Sequence, residues 1–313
     1  MFDIIPYHHE RAAEWNHFVD EAKNATFLFK RDYMDYHSDR FSDHSLMFYL
    51  DGKLYAILPA NVSGQTLYSH QGLSYGGLIM SETATTAKVC TLFDELNMLL
   101  RSQGIRQVVY RPVPHIYHRL PAEEDLYAIF LRCHATLTGR DVSSTIDPAR
   151  MLKWKRDRHY AANKARTNGI TVRQTDDFKQ FWQILSENLM EKFGASPVHS
   201  LDEILLLHGR FPKNIQLWAA YSPEGKMLAA TVLYICGDIV HAQYISASPE
   251  GKRLHAVDGL YDQLLHHIYT SVKFFDLGTS NMPHSSDLHD SLIYQKEGFG
   301  GRAVCFDTYE WST

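Results

Sequence analysis

The sequence predicts a mixed α/β fold (α+β class) in which one unit occurs twice, each a central, largely antiparallel sheet flanked by helices. Two strand–turn–strand patterns carry the prediction, at residues 46–61 and 217–232. Glycine-centred turns between β-rich runs are typical of hairpins. A tryptophan lies on an amphipathic segment ahead of each hairpin, Trp15 in the first half and Trp182 in the second. The shared order indicates an internal duplication.

A long amphipathic helix follows each hairpin, and a short strand follows each helix. Apolar residues recur at helical spacing over residues 89–100 and again over 256–268. Gly104 is a stop signal for the first of these helices. The strands that follow are predicted at 107–110 and 273–277. Both halves therefore have the same downstream elements.

A strongly basic segment lies between the two halves. Residues 150–166 carry seven Lys or Arg side chains and a single acidic one. Asp147 is a good N-cap, Pro148 a good first-turn residue and Gly169 a good C-terminal stop. The pattern predicts one helix over residues 148–169.

This helix would link an N-terminal domain, residues 1–147, to a C-terminal domain, residues 170–313. A helix without a wide apolar stripe is either a solvated bridge or a contact surface. A concentrated positive charge in an otherwise acidic protein attracts phosphates. Lys153 and Arg156 are therefore candidate substrate-binding residues.

Composition excludes several classes of protein. Hydrophobic residues make up 45% of the 313 residues, which excludes a disordered or collagen-like chain. The net charge of −5 excludes a bulk basic footprint for DNA. No apolar run is long enough for a transmembrane helix, and the N-terminus does not have the pattern of a signal peptide. The four scattered cysteines fit reduced thiols, so we expect a cytoplasmic protein.

Several segments resemble the Fem-type family of aminoacyl- and acyltransferases, which are tandem GNAT folds. The resemblance is strongest at residues 292–302, which contain a lysine followed by Phe-Gly, and it extends over the segments 68–78, 158–170, 197–200 and 273–278. It implies two GNAT-like domains with a substrate channel across the second. Fem enzymes transfer an amino acid from aminoacyl-tRNA to an amine of a peptidoglycan precursor. The same family likeness implies that Lys296 binds the donor and stabilises charge; the alternative is a solvated lysine at a helix end.

The donor is left open by the sequence. CoA-binding GNATs cradle the pyrophosphate with backbone N–H groups at the start of a long helix. In the corresponding segment, 248–256, Gly251 fits that pattern, but Ser248 replaces Arg or Gln and Arg253 stands where a small residue is expected. Arg253 remains a candidate phosphate contact. No cofactor is firmly predicted, and acyl-CoA and aminoacyl-tRNA are the two candidate donors.

Two histidines are candidate general bases. His241 and Gln243 alternate along a predicted strand, so we expect them to face one side, with Ala242 and Tyr244 on the other. Gln243 and Tyr244 are candidate substrate contacts, and His241 is suited to remove the proton from an amine. His199, which follows a proline in a loop, is the second candidate base. The alternative for His241 is a hydrogen-bonded histidine at a sheet edge.

Two further segments are candidate sites. Arg111 and Tyr117 lie in a proline-rich stretch after a predicted strand, which is either a substrate-facing loop or a stiffened surface loop. Residues 284–290 hold two histidines and two aspartates, but their spacing matches no standard zinc signature. We expect no metal.

These observations predict an N-acyltransferase or aminoacyltransferase. It would act on an amine of a cell-envelope precursor or other small molecule, and a nucleotide-linked amine is one candidate acceptor. tRNA is a candidate partner, DNA is not, and the oligomeric state is left open. Two alternatives remain, a CoA-dependent GNAT acetyltransferase and a non-catalytic ligand-binding protein.

Overall fold

The computed structural model describes residues 1–282 and 285–313. The chain divides into an N-terminal unit, Met1–Asp141 with Cys305–Thr313, and a C-terminal unit, Val142–Val304. This division differs from the predicted boundaries at residues 147 and 169, because the basic segment belongs to the C-terminal unit and the last residues return to the N-terminal one.

The N-terminal unit contains short strands and four helices. The strands are β1 (Asp3–Pro6), β2 (Ser42–Asp43), β3 (Leu46–Leu50), β4 (Lys53–Leu58), β5 (Asn61–Ser63), β6 (Thr66–Tyr68), β7 (Ile79–Met80), β8 (Gln107–Tyr110) and the first part of β9 (Thr136–Ile146). The helices are α1 (Ala12–Glu21), α2 (Arg31–Met34), α3 (Thr86–Ser102) and α4 (Glu124–Cys133). The order β1-β3-β4-β7 forms an antiparallel sheet, and β8-β6-β5-β2 form a second row in which β6 and β8 are parallel.

The elements predicted for the first half are present. The β3–β4 hairpin turns at Asp51 and Gly52, both with positive φ (50° and 73°), as a tight two-residue hairpin turn requires. Helix α3 buries one apolar stripe in the core, which includes Leu92 and Phe93. Trp15 is buried on α1, where its indole Nε1 donates to the carbonyl of Phe29 at 2.7 Å.

The C-terminal unit is built around one sheet. Its strands are the end of β9, β10 (Thr171–Thr175), β11 (Ile215–Tyr221), β12 (Met227–Cys236), β13 (Ile239–Ala247), β14 (Phe274–Thr279) and the start of β15 (Arg302–Ser312). Its helices are α5 (Arg156–Thr167), α6 (Phe178–Phe193), α7 (Leu201–Arg210), α8 (Pro249–Arg253), α9 (Ala256–Gln263) and α10 (Asp290–Gly298). In the order β10-β11-β12-β13-β14-β9, only the β13–β14 pair is parallel.

Helices cover both faces of this sheet. Leu260 of α9 packs in the apolar cluster with Leu233 and Ala242 on one face. On the other face, Trp182 of α6 makes an edge-to-face contact with Tyr244, at 5.3 Å between ring centroids. The predicted hairpin and the tryptophan helix of the second half are therefore confirmed.

The basic segment is not one helix. Asp147 caps only a 3-10 turn, Pro148–Arg150, by accepting from the Ala149 amide at 2.9 Å, and α5 begins at Arg156. The prediction of a helix over 148–169 is wrong because the intervening chain inserts Trp154, 3% exposed, against Phe299 at 4.9 Å between rings. Burial of a large indole outweighs the local helix signals.

Helix α5 is also not solvated all round. Ala161, Ala162 and Ala165 are buried, and a Cβ placed on Gly259 of α9 would lie 2.7 Å from the Cβ of Ala165. Small side chains on both helices allow this close approach. The sequence pattern missed the stripe because alanines carry little apolar signal.

The buried pair Asp125–Tyr110 predicts a pH-dependent stability. The Tyr110 hydroxyl donates to Asp125 Oδ2 at 2.5 Å and accepts from the Leu78 amide at 2.7 Å. Burial raises the pKa of Asp125 to about 6. Between about pH 4 and 6 the folded protein therefore keeps a proton that the unfolded chain has lost, so the free energy of unfolding falls as pH rises through this window.

We expect the fall to be about 3 kcal/mol, from the shift and 1.36 kcal/mol per pKa unit. Asp125→Asn cannot titrate and should lack this slope, which urea unfolding of both proteins from pH 3.5 to 7 would measure. Equal slopes in the two proteins would contradict the assignment.

Candidate active site

The site lies where the two parallel strands of the C-terminal unit stop pairing. Strands β13 and β14 pair at Ile239–Phe274, Val240–Phe275 and His241–Asp276. No further pair of this ladder occurs in the described residues, although β13 continues to Ala247 and β14 to Thr279. The end of a parallel ladder is a common place for a ligand, because the backbone N–H and C=O groups there no longer bond to the neighbouring strand.

Asp276 is fully buried at this point and is surrounded by donors. Its Oδ1 accepts from the Ser143 hydroxyl, from the Thr145 hydroxyl at 3.3 Å and from the Gly278 amide at 3.1 Å. Its Oδ2 lies 2.8 Å from Nδ1 of His241. A buried carboxylate is tolerated only when such partners replace water. With Nδ1 donating to the carboxylate, Nε2 becomes the acceptor nitrogen of the neutral imidazole.

Lys296 enters the same region from the last turn of α10. Its side chain is buried, with the residue 8% exposed, and Nζ donates to the carbonyls of Gly278 and Thr279, each at 2.7 Å. Burial lowers the pKa of Lys296 to about 8, and the negative charge of Asp276 acts in the opposite direction. An ammonium group has three N–H donors, so these two carbonyls do not exhaust it.

Gly278 separates the two candidate catalytic groups. Its φ of +79° is a left-handed conformation that favours glycine. A Cβ at this position would lie 3.7 Å from Cε1 of His241 and 3.9 Å from Nζ of Lys296. The imidazole and the ammonium therefore flank the same glycine, and the imidazole is bonded to the carboxylate of Asp276.

His199 lies in a different pair. Its Nδ1 is 2.6 Å from the hydroxyl of Tyr244, and its carbonyl accepts from the indole of Trp182 at 3.1 Å. Burial raises the pKa of Tyr244 to about 12, so the phenol stays neutral. This arrangement anchors the loop before α7 against the sheet.

The predicted alternation along β13 is wrong. His241 pairs with Tyr234 and Tyr244 with Val232, but Leu233 pairs with Ala242, so the register shifts at Gln243. Such a bulge adds one residue and reverses the alternation beyond it. The face of His241 therefore carries Tyr244, which had been expected on the opposite face.

The segment 248–256, the candidate CoA site, is packed against the sheet. Ser248 caps α8, and its hydroxyl accepts from the Gly251 amide at 3.0 Å. A Cβ on Gly251 would lie 2.0 Å from the Leu228 carbonyl, so the glycine permits close packing of helix on strand. Arg253 is exposed. One of the amides expected to cradle a pyrophosphate thus already has a partner.

The remaining predicted residues lie elsewhere. Lys153 and Arg156 are exposed and form no ion pair within residues 1–282 and 285–313. In the N-terminal unit, Tyr117 is buried against Tyr75, with ring centroids 4.8 Å apart, and Arg111 Nη2 lies 3.9 Å from Asp141. Tyr117 is therefore a packing residue rather than one that projects into solvent.

Four residues of the site were not predicted as functional. They are Ser143, Thr145, Asp276 and Gly278. The sequence contained one signal for them, a single carboxylate in the apolar run 274–278, followed by a glycine. A charge within a buried strand requires partners. The serine and threonine are more than 130 residues away along the chain and gave no local signal.

Residues 149–286 match the family model described as an acetyltransferase (GNAT) domain. This segment has the GNAT fold. Solved structures extend the likeness to the whole chain. FemX is 10% identical with a TM-score of 0.70, covering 99% of this chain and 97% of that one. L-PGS from Bacillus licheniformis is 14% identical with a TM-score of 0.60, covering 97% and 91%.

A tandem GNAT protein from the clavulanic acid biosynthesis pathway gives 10% identity and a TM-score of 0.51, covering 100% of this chain and 98% of that one. A comparison with curated protein sequences found no match. At these identities the structural likeness establishes the fold. The predicted fold class, two tandem GNAT-like domains of mixed α/β structure, is confirmed.

Within residues 1–282 and 285–313, no three His, Cys, Asp or Glu side chains cluster as metal ligands would. His284, part of the cluster weighed at 284–290, lies outside the described residues. Across the same ranges, no helix combines the length and apolar character needed to span a bilayer.

The geometry around Lys296 predicts a measurable titration. Its ε-methylene signal in NMR of lysine-labelled protein should titrate near pH 8, because burial disfavours the ammonium form. Asp276→Asn should lower that pKa further, because it removes the carboxylate that stabilises the ammonium. The signals of exposed lysines serve as the internal reference. An unchanged Lys296 titration in the variant would show that the two charges do not interact.

Proposed function

We propose that this protein is an N-acyltransferase that transfers an activated acyl group to an amine, and that this acyl group is an aminoacyl group. The observation that carries the proposal is the grouping of His241 and Lys296 around Gly278, with Asp276 bonded to His241. The GNAT domain match supports a transferase, and the fold likeness to FemX and L-PGS favours the Fem-type relationship.

The proposed chemistry requires no covalent intermediate on the protein. The amine nitrogen attacks the acyl carbonyl carbon, and its bond to that carbon forms as the bond to the leaving group breaks. His241 takes the proton from the amine through Nε2, while Asp276 holds the imidazole in the required tautomer. The protonated His241 then gives that proton to the leaving group as it departs, so the imidazole returns to its neutral form.

Lys296 stabilises the charge that develops on the acyl oxygen. A cation in a water-poor site is effective because the surrounding dielectric is low. Its two carbonyl contacts hold Nζ in place before the substrate arrives, so little reorganisation is needed. This role agrees with the one that the family resemblance implies for Lys296.

Aminoacyl-tRNA is the donor that the surface charges favour. Arg150, Lys153, Arg156, Lys164 and Arg166 are exposed around the start of α5 and along it, in a protein of net charge −5. Exposed cations concentrated in one segment suit a phosphate backbone. The acceptor is proposed to be an amine on a cell-envelope precursor, as the Fem-type resemblance implies.

Two other functions make different predictions. A CoA-dependent acetyltransferase would transfer from acetyl-CoA, but Ser248 already occupies the Gly251 amide in the segment that would hold its pyrophosphate. A non-catalytic ligand-binding protein would bind substrates without turnover. Assays with a panel of charged tRNAs and with acetyl-CoA, scored by mass spectrometry of amine products, separate the three. Turnover only with acetyl-CoA, or none with any donor, would overturn the proposal.

Lys296→Met should lower kcat by about 10²–10³-fold, because it removes a donor from the developing oxyanion. Wild-type activity should also fall as pH rises through about 8, where the ammonium loses its proton. Lys179→Met, an exposed lysine on α6, is the matched control and should leave kcat unchanged. Equal activity of the Lys296 variant and the control would remove Lys296 from the mechanism.

The charge reversals Lys153→Glu and Arg156→Glu, made together, should raise KM for aminoacyl-tRNA about tenfold with little change in kcat. The physical reason is the loss of two cations from the surface that meets the phosphates. Lys179→Glu with Lys192→Glu makes the same charge change on α6 and is the control. If both pairs raise KM equally, the effect reflects net charge rather than this surface.

A further inference from the structure

The N-terminal unit contains a second candidate site, independent of the acyl-transfer site. A cavity of about 480 Å³ is lined by residues of the segments 7–9, 31–43 and 70. Its volume lies within the range of small-molecule sites, about 300–1,000 Å³. His8 and His9, which are exposed, also line it, so the cavity is open to solvent.

Arg31 is the charged centre of this cavity. It is 5% exposed, and its Nη2 lies 2.5 Å from carboxylate oxygens of both Asp35 and Asp43. The ring of Tyr7 stacks on its guanidinium at 3.9 Å. In the part of the chain that the structure describes, Arg31 Nε and the Tyr7 hydroxyl are buried and have no well-aligned hydrogen-bond partner, although the guanidinium and the phenol interact with each other. Buried polar groups rarely lack partners, so two in one cavity wall point to a ligand that supplies them.

His70 and His37 form a second polar wall. Their rings stack with centroids 5.1 Å apart, and burial lowers the pKa of both, to about 3 for His70, so the pair is neutral at pH 7. His70 Nδ1 accepts from the Gly72 amide at 3.3 Å, which makes its Nε2 a donor. His37 Nε2 lies 3.3 Å from the Gly72 carbonyl, to which it donates, which makes its Nδ1 an acceptor.

The loop that carries His70 is held in a costly conformation. His70 has φ of +73°, a left-handed value that non-glycine residues seldom adopt. A Cβ on Gly72 would lie 2.3 Å from His37 Nε2, so the loop packs directly on the other histidine. Strain of this kind persists where the surrounding structure requires it, and it is frequent at binding sites. The segment 68–78 was singled out in the sequence, and the acyl-transfer site does not use it.

The charges around the cavity select the class of ligand. Among the described residues that line the cavity, Arg31 is outnumbered by Asp35 and Asp43, and the buried His37 and His70 are neutral, so an anion is disfavoured. An ammonium ligand is also disfavoured, because both carboxylates already bind the guanidinium of Arg31, which would repel a second cation. Hydroxyl groups can both donate and accept, and the ring of Phe41 adds an apolar wall to that of Tyr7. We propose that this cavity binds a neutral, hydroxyl-rich ligand of the pyranoside class.

Saturation-transfer NMR on the full chain tests the proposal. The probes are the methyl glycosides of glucose, galactose, mannose and N-acetylglucosamine, and we expect transfer to the ring protons of at least one of them. Tyr7→Phe keeps the ring and removes the hydroxyl, and it should weaken binding about three- to tenfold. His70→Asn, which tolerates positive φ, should abolish binding. Tyr127→Phe, which removes an exposed hydroxyl in the same unit, should leave it unchanged.

The outcomes distinguish this site from the acyl-transfer site. Lys296→Met should retain glycoside binding, so failure of the proposed enzymatic function leaves this proposal intact. No transfer to any glycoside would overturn it. Equal glycoside binding by wild type, Tyr7→Phe and His70→Asn would also overturn it. A third contradicting result would be saturable binding of inorganic phosphate or methylammonium instead of a glycoside, if Tyr7→Phe weakened that binding.

Discussion

The carboxylate of Asp276 is the constraint on which the C-terminal unit depends. A buried charge is costly in a sheet, and the cost is met by donors from separate parts of the chain. Ser143 and Thr145 reach it from β9, Gly278 from the backbone of its own strand and His241 from the neighbouring strand. Removing one donor would leave the remaining groups around an incompletely satisfied charge. The carboxylate thus fixes how three strands meet at the end of the β13–β14 ladder.

The same carboxylate links structure to the proposed chemistry. It selects the tautomer of His241 and favours the charged form of Lys296, which burial alone would disfavour. Two groups with opposite tasks, one accepting a proton and one supporting negative charge, are thereby held around one glycine. Preorganisation of this kind places the catalytic groups before substrate binds.

Both units contain a tryptophan helix, a hairpin, a later helix and a strand in the same order, but their polar interiors differ. The buried polar groups of the N-terminal unit include Arg31, which pairs with the more exposed Asp35 and Asp43, Lys23, which pairs with Glu124, and Asp125, which is bonded to Tyr110. The stacked pair His37–His70 is found in the N-terminal unit, whereas the C-terminal unit pairs His241 with Asp276. A duplicated scaffold has therefore been filled with two distinct sets of polar side chains, which is consistent with function residing in sites rather than in the fold.

The hairpins, the tryptophan helices and the two-unit organisation could be predicted because each depends on local periodicity and turn chemistry. The sequence also brought Lys296 and His241 forward as candidates, one by family resemblance and one by its place on a strand. The helix over 148–169 could not be judged locally, because a single buried indole at Trp154 overrides its capping signals.

What the sequence by itself determined is the order of elements and the residue types available for chemistry. Which residues meet was decided by tertiary structure. The bulge at Gln243 reversed one face of β13, and strand pairing brought Ser143 and Thr145 to Asp276 from more than 130 residues away. The physical reason is that periodicity acts over a few residues, whereas the partners of a buried charge are chosen by how strands and helices pack.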